Sequence, residues 1–465
     1  MPAVAPPDLD ADACVVGGSI AGLMIALRLA RQGLDVLLLE RGLITPVRRP
    51  AVLAAGTTLW LGDTGNRFSK ERARATFDLS LEAMAKALAL FDELGVERQG
   101  RGLLRVAAAH EMALLDAEAE ARDLLGLVEL RRWSRDEIEA VTASPRYAGA
   151  FYEPHGVLFD MEALGAALTT AAQAAGVRIL ELTPATAADL GGVRKYVQTS
   201  EGRVRANHVV LCAGRGLGRV APWLAGALGR EHWVRGGFAV RTARPDFSGL
   251  VAEPGWRGGR FVPSRGELMF EAPTATAVHG EVPAAVALRR RARAVYPELR
   301  IRLAEHAGGF SQSRAPHGLP LIGEHRPGVW HAAGLGANGL ANAALAADVI
   351  CAGIIERSRQ IDELAAPAPR YAFGTVGRVA TTAAFWTSRL RDQWAHMKAE
   401  GAARRAEALA ATAQGAMPVR HAGGPHERRS TSVHAPQPHP AAGHVAPATR
   451  GELAGEGQAS SVTTS

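Results

Sequence analysis

Residues 13–40 read ACVVGGSIAGLMIALRLARQGLDVLLLE, and this stretch decides the fold. Ala13 to Val16 is a short apolar run. Glycines follow, and Ile20 to Arg31 repeats apolar residues at three- and four-residue spacing. Gly33 ends that pattern, and Leu34 to Glu40 is a continuous apolar strand closed by an acid. The order is strand, Gly-rich turn, helix, strand, terminal acid, which predicts a βαβ unit with strands covered on both faces. Gly17, Ser19 and Gly22 hold the three fingerprint positions of a dinucleotide turn, with Ser in place of the second Gly. Gly17 permits the tight turn, a small residue at 19 lets pyrophosphate approach the backbone, and Gly22 lets the helix pack close to the strand. With Gly18, Ile20 and Ala21 they form a helix N-terminus whose free N–H groups and partial positive charge suit phosphate. Glu40 stands where an acid accepts hydrogen bonds from ribose hydroxyls, with Arg41 beside it. An acid there disfavours a 2′-phosphate, so the ligand reads as FAD or NAD rather than NADP.

The rest of the chain sets the bounds. It has 465 residues, enough for a large core and up to about three domains. Three cysteines, Cys14, Cys212 and Cys351, lie too far apart for a disulfide framework; each sits in an apolar run, which predicts reduced buried thiols and a cytoplasmic protein. The N-terminus lacks the basic start and apolar core of a signal peptide, and no uninterrupted apolar run is long enough for a membrane span. The net charge of +7 invites a nucleic-acid reading. Its make-up argues against one: of 53 basic residues only Lys70, Lys86, Lys195 and Lys398 are lysine, and no arginine run has interleaved aromatics. No nucleic-acid partner is expected. Five of the fifteen histidines fall in the tail beyond Gly415 at spacings that match no ligand pattern, so no metal site is expected and the tail reads as disordered.

Two later segments favour FAD. VVLCAGRGLGR (209–219) runs a buried strand into a small-residue corner at Ala213-Gly214, which allows close contact with a bound nucleotide. GLGANGLANAALAADVI (334–350) puts a second Gly-rich loop at a helix N-terminus. Gly334, Leu335, Gly336, Ala337, Asn338, Gly339 and Leu340 would stabilise the negative charge gained at N1/O2 of a reduced flavin. Helices are predicted over 70–96, 109–125, 161–176, 282–298 and 340–355. Strands are predicted over 177–182, 196–200, 203–204, 208–212 and 329–333, with antiparallel alternation through 232–275.

In these segments the sequence resembles the FAD-dependent amine and amino-acid oxidoreductases of the D-amino-acid oxidase superfamily, over about residues 10–395. It is most similar to the gamma-glutamylputrescine oxidoreductase and glycine oxidase-like members. The resemblance rests on GGSIAG (17–22) with LLLER (37–41), GRGLLRVA (100–107), GAFYEPHGVLFDMEAL (149–164), VVLCAG (209–214), GGFSQSRAPHGLPLIGE (308–324), GLGANG (334–339) and RYAFGTVGRVATTAAFWTSRLRDQW (370–394). Where the family carries a Ser/Gly-rich stretch, this chain has AAGTTLW (54–60), in which Gly56, Thr57 and Thr58 are candidates for phosphate or flavin contact.

The resemblance implies an α/β (α+β) protein: a Rossmann-like FAD-binding domain with an inserted, mainly antiparallel substrate domain. The FAD-binding parts are expected at 10–100, 151–225 and 307–360, and the substrate-domain parts at 101–150 and 226–306. A helical extension (361–412) and a disordered tail (413–465) follow. It also implies oxidation of a C–N bond of a small-molecule amine or amino acid, with hydride passing to flavin N5 and the product imine hydrolysing; oxygen or another electron acceptor would complete the cycle. Candidate catalytic residues are His317 and Arg314 in the flavin-loop segment and Arg260, a possible carboxylate partner on a substrate-domain strand. Trp60, Trp233, Trp256, Phe261, Phe270 and Phe310 are candidate pocket walls. No Cys lies near the late Gly loop, so FAD is expected to be non-covalent. The oxygen-promoting lysine of sarcosine oxidase-like enzymes has no counterpart between 196 and 397. Rival readings are an NAD(P)H-dependent FAD monooxygenase, which needs a Gly-Asp motif this chain lacks before its last Gly loop, and a non-catalytic flavin-binding protein. Residues 370–412 are amphipathic, and packing onto the FAD domain is expected in preference to contact with a membrane surface.

Overall fold

The computed structural model describes residues 9–44, 50–61, 69–127, 130–239, 247–254, 258–263, 267–297 and 305–364, with scattered positions from 369 to 405. The chain opens with β1 (Leu9–Val16), α1 (Ile20–Arg31), β2 (Val36–Leu39), β3 (Pro50–Leu53) and α2 (Lys70–Glu93). Then come β4 (Arg98–Ala108), α3 (Met112–Leu124), β5 (Arg131–Trp133), α4 (Arg135–Thr142), β6 (Tyr147–Asp160) and α5 (Met161–Ala174). The middle holds β7 (Arg178–Leu180), β8 (Ala187–Asp189), β9 (Lys195–Gln198), β10 (Arg203–Leu211), α6 (Pro222–Gly226) and β11 (Gly229–Ala239). The last part holds β12 (Leu250–Ala252), β13 (Arg260–Pro263), β14 (Glu267–Thr274), α7 (Glu281–Val295), β15 (Glu305–Arg314), β16 (Leu321–Arg326), β17 (Val329–Ala333) and α8 (Gly339–Ile355).

Two sheets organise these elements. The first has the order β16-β17-β10-β1-β2-β7, with β9 on β10 and β8 on β9. From β17 to β7 its strands run parallel, with Val16 beside both Leu211 and Leu39. The apolar continuity of β1 and β2 reflects cover on both faces, since Ala13 to Val16 and Val36 to Leu39 are all buried. One face packs on α1, α2, α5 and α8; the other packs on α6 and the turns around it. Helix α8 is apolar all round because it lies between α1, α2 and the sheet. Its one buried acid, Asp348, is held by Arg28 at 2.8 Å and Lys86 at 2.9 Å, one from each neighbouring helix.

The second sheet has the order β15-β11-β14-β13-β12-β4-β6-β3, with β5 on β6. Every pairing is antiparallel except β12 with β4. The mixed α/β architecture therefore stands as expected. Among the differences from the sequence reading, two bear most on the topology. Arg203-Val204 and His208 to Leu211 belong to one strand, β10, because β9 pairs its first half while β17 pairs its second. The longest strand, β6, was not foreseen. Pro154 and Gly156 interrupt its pattern, but they fall at a register shift between Glu153 and Val157 where the ladder needs no donor.

Candidate active site

The first cavity grows from the N-terminal turn. Its volume is about 430 Å³, and its lining includes Gly17, Gly18, Ser19, Ile20, Glu40, Arg41 and Ala213. Gly17 has φ +116°, a conformation open to glycine, and its N–H donates to Leu39 O at 2.8 Å. A Cβ there would lie 2.7 Å from Ala213 N, and one on Gly22 would lie 2.0 Å from Gly17 O. Ser19 caps α1: its Oγ accepts from Gly22 N and donates to Cys212 O, both at 3.3 Å. That is the reason Ser serves where the fingerprint has Gly, because its side chain turns inward to tie the helix start to the end of β10. Glu40 receives the Gly18 N–H at 2.8 Å and the Gly42 N–H at 2.9 Å. No acid lies in the first turn of α1, and its N-terminal end lines the cavity. A glycine cradle, an open helix N-terminus and a strand-end carboxylate together fit the phosphates and ribose of a dinucleotide.

Not every expected contact lies on this cavity. Ala21 and Gly22 pack beneath it, Ala21 as core. Gly214, at φ +53°, faces β15, where a Cβ would meet Ser313 Oγ at 2.9 Å. Sequence reading missed Met161 and Gly165 on α5, Pro184 and Ala185, and Leu217 and Val220, all of which line it with Gly216. A glycine inside a helix, as at 165, was the available signal of close approach.

A second, small cavity of about 60 Å³ collects the catalytic candidates. Arg260, Arg314 and His317 line it together with Thr57, Thr58, Trp60, Trp233 and Ala337. The strand pattern explains the charges. Arg260 on β13 sits opposite Glu271 on β14 and binds it at 2.6 Å, and it also donates to Ala337 O at 2.9 Å. Arg314 on β15 reaches Glu231 on β11 at 2.9 Å. Both guanidiniums thus already hold a carboxylate. His317 Nδ1 accepts from Leu319 N at 3.2 Å, an arrangement that leaves the neutral ring's proton on Nε2. Two carboxylates that sequence reading did not single out complete the walls, Glu231 and Glu253. Glu253 receives Gly259 N at 2.8 Å and Tyr147 OH at 3.1 Å, and it pairs with Arg291 and Arg146. Of the aromatic candidates, Trp60 and Trp233 line the cavity, Phe310 stacks on Trp233, and Phe261 and Phe270 stack in the core of the second sheet. Trp256 lies outside the described residues.

The late Gly loop is joined to the 54–58 segment. Asn338 Nδ2 donates to Ala54 O at 3.0 Å and Gly56 O at 2.6 Å; Asn342 Nδ2 donates to Thr57 O at 2.9 Å and Leu335 O at 2.7 Å. Gly56 N donates to Ser80 Oγ at 2.7 Å, which fastens the same segment to α2. Gly334 and Gly336 take positive φ, +62° and +67°, to bring Ala337 to the cavity wall. Gly334 is covered by Leu228 and Ala315, while Gly339 and Leu340 open α8, with Leu340 in the core. Beneath Trp60, the fully buried Arg105 binds Glu153 at 2.9 Å, approaches Glu118 at 3.8 Å and donates to Leu59 O. Among the described residues no His, Cys, Asp and Glu group is arranged to hold a metal ion, and no helix is long and apolar enough to cross a membrane.

Comparison with known proteins agrees with this geometry. A family model described as FAD dependent oxidoreductase matches residues 12–352. The probable oxidoreductase OrdL of Rhizobium meliloti is 24% identical over 72% of this chain and 81% of its own. Gamma-glutamylputrescine oxidoreductase of Escherichia coli is 26% identical over 46% of this chain and 51% of its own, so that match spans about half its length. The crystal structure of glycine oxidase from Geobacillus kaustophilus superposes with a TM-score of 0.62 at 22% identity, covering 76% of this chain and 96% of that one.

Proposed function

The chain belongs to the family of FAD dependent oxidoreductases, and from that premise we propose that it oxidises a carbon–nitrogen bond of a small amine or amino acid. The observation that carries this reading is the second cavity: strands and loops of the second sheet, with the loop that opens α8, enclose one small site lined by indole rings and by arginines paired with glutamates. When bound, FAD supplies the two-electron acceptor for a hydride leaving the carbon next to nitrogen. Gly17, Gly18, Ser19, Ile20, Glu40, Arg41 and Ala213 hold its nucleotide end, and the joined loops at 54–58 and 334–340 hold its ring end. We infer non-covalent binding, since no cysteine lines the second cavity.

The chain's own groups position the amine. Apolar walls at Trp60, Trp233 and Ala252 favour its neutral form, the form that can release hydride. His317 presents a polar ring to the same space, and the Arg260–Ala337 bond fixes the wall beside it. The product imine then hydrolyses. No lysine lines this cavity, so the oxygen-promoting lysine implied by the resemblance has no counterpart there, and the acceptor is oxygen or a separate redox partner. The test is anaerobic mixing of the FAD-loaded protein with primary amines, secondary amines and amino acids, without a nicotinamide. Bleaching of the flavin by an amine supports the proposal. Bleaching only by NADPH would point to a monooxygenase, and no bleaching by any donor to a flavin carrier without catalysis.

A further inference from the structure

Trp60 follows β3 and Trp233 lies on β11, yet both line the second cavity. They are 4% and 3% exposed, and among the described residues neither indole N–H has a hydrogen-bond partner. Trp133 shares that condition but is not among the lining residues. An indole N–H only donates, and leaving one buried without an acceptor is destabilising. Two such buried donors, both on residues that line one small cavity, point to an oxygen that a ligand brings.

The charges decide what kind of oxygen. Arg260 is committed to Glu271 and Ala337 O, Arg314 to Glu231, and Glu253 to Arg291 and Arg146. A substrate carboxylate would meet guanidiniums already neutralised by carboxylates and would lose its hydration without a fresh counter-charge. A carbonyl oxygen carries no such cost and is satisfied by neutral donors. We propose that this cavity selects amines bearing a neutral carbonyl, as in an amino-acid amide or ester, over the free amino acid, with Trp60 and Trp233 donating to that oxygen. The assignment rests on the amine-oxidising reading above, but binding can be measured apart from turnover.

The experiment uses the full-length, FAD-loaded protein. Sarcosinamide and sarcosine methyl ester are compared with sarcosine, and glycinamide with glycine, in anaerobic flavin reduction. The amide or ester of each pair should react more efficiently than its acid. Trp60→Phe and Trp233→Phe keep the ring and remove the donor. Each should lower kcat/KM for the amide by about three- to tenfold, mainly through KM, and lower it by a smaller factor for the acid. Methoxyacetamide and methoxyacetate, which have no amine to oxidise, are titrated in parallel and read by the flavin difference spectrum. The amide should bind more tightly, and the advantage should shrink in both Phe variants. If the acids are preferred, or the preference survives both substitutions, the proposal fails while amine oxidation stands. If methoxyacetamide is preferred through the tryptophans but no amine bleaches the flavin, the recognition proposal stands and the catalytic reading fails.

Discussion

At position 22 a methyl group has no room. Its Cβ would lie 2.0 Å from the Gly17 carbonyl, a backbone atom that a rotamer change cannot move. Gly22→Ala should therefore cost about 1–3 kcal/mol and weaken FAD retention, read as a lower ratio of visible to ultraviolet absorbance in purified protein. An unchanged ratio would remove the turn from the site. His331, on β17, offers a pH test. Burial first, and the neighbouring His325 second, push its imidazole down to about 4, against 6.5 for the ordinary group. Between those values the unfolded chain binds a proton that the native state refuses, so stability falls as pH falls through that window. Above about pH 6.5 both states are neutral and the residue adds no pH dependence; by pH 4 the loss reaches about 3 kcal/mol. His331→Gln should flatten that part of the profile, seen as a smaller drop in urea midpoint between pH 7 and pH 5 than in the wild type.

At the scale of elements, the join between α8 and the 54–58 segment makes the two ends of the chain one site. Asn338 holds two backbone carbonyls from the other side of the sequence. Asn338→Ala would leave Ala54 O and Gly56 O without this donor. It should cost about 1–3 kcal/mol in thermal or urea unfolding and speed FAD release. Equal release rates in variant and wild type would place the ring end elsewhere. The elements also show what the sequence could and could not reveal. The βαβ start was legible because its strands are buried on both faces and its glycines answer to steric demands that only a turn of this kind imposes. Helix α8 was legible from its apolar run. Strand β6 was hidden by Pro154 and Gly156, whose tolerance depends on a register shift set by β4, a partner distant in sequence. The Arg260 and Arg314 pairings were equally hidden, since each depends on which strand lies alongside.

Across the whole molecule, the first sheet supplies the turn, the strand-end acid and the corner at Ala213, while the second supplies most walls of the smaller cavity. Residue types at fixed local spacing announced the nucleotide half. The substrate half is assembled from β11, β12, β13, β15 and four loops, so single residues such as Arg260, Arg314 and His317 could be nominated but not grouped. Glu231 and Glu253 carry no local signature at all; their meaning comes from the arginines that face them. The central claim is that the N-terminal turn and the late loop hold one flavin. Its most direct test is a calorimetric titration of flavin-free protein with FAD, repeated with Gly22→Ala and with NAD as titrant. The account predicts one FAD per chain with an absorption band near roughly 450 nm, weakened binding in the variant, and no comparable uptake of NAD. Protein that stays colourless in excess FAD, or that takes up NAD in its place, would contradict it.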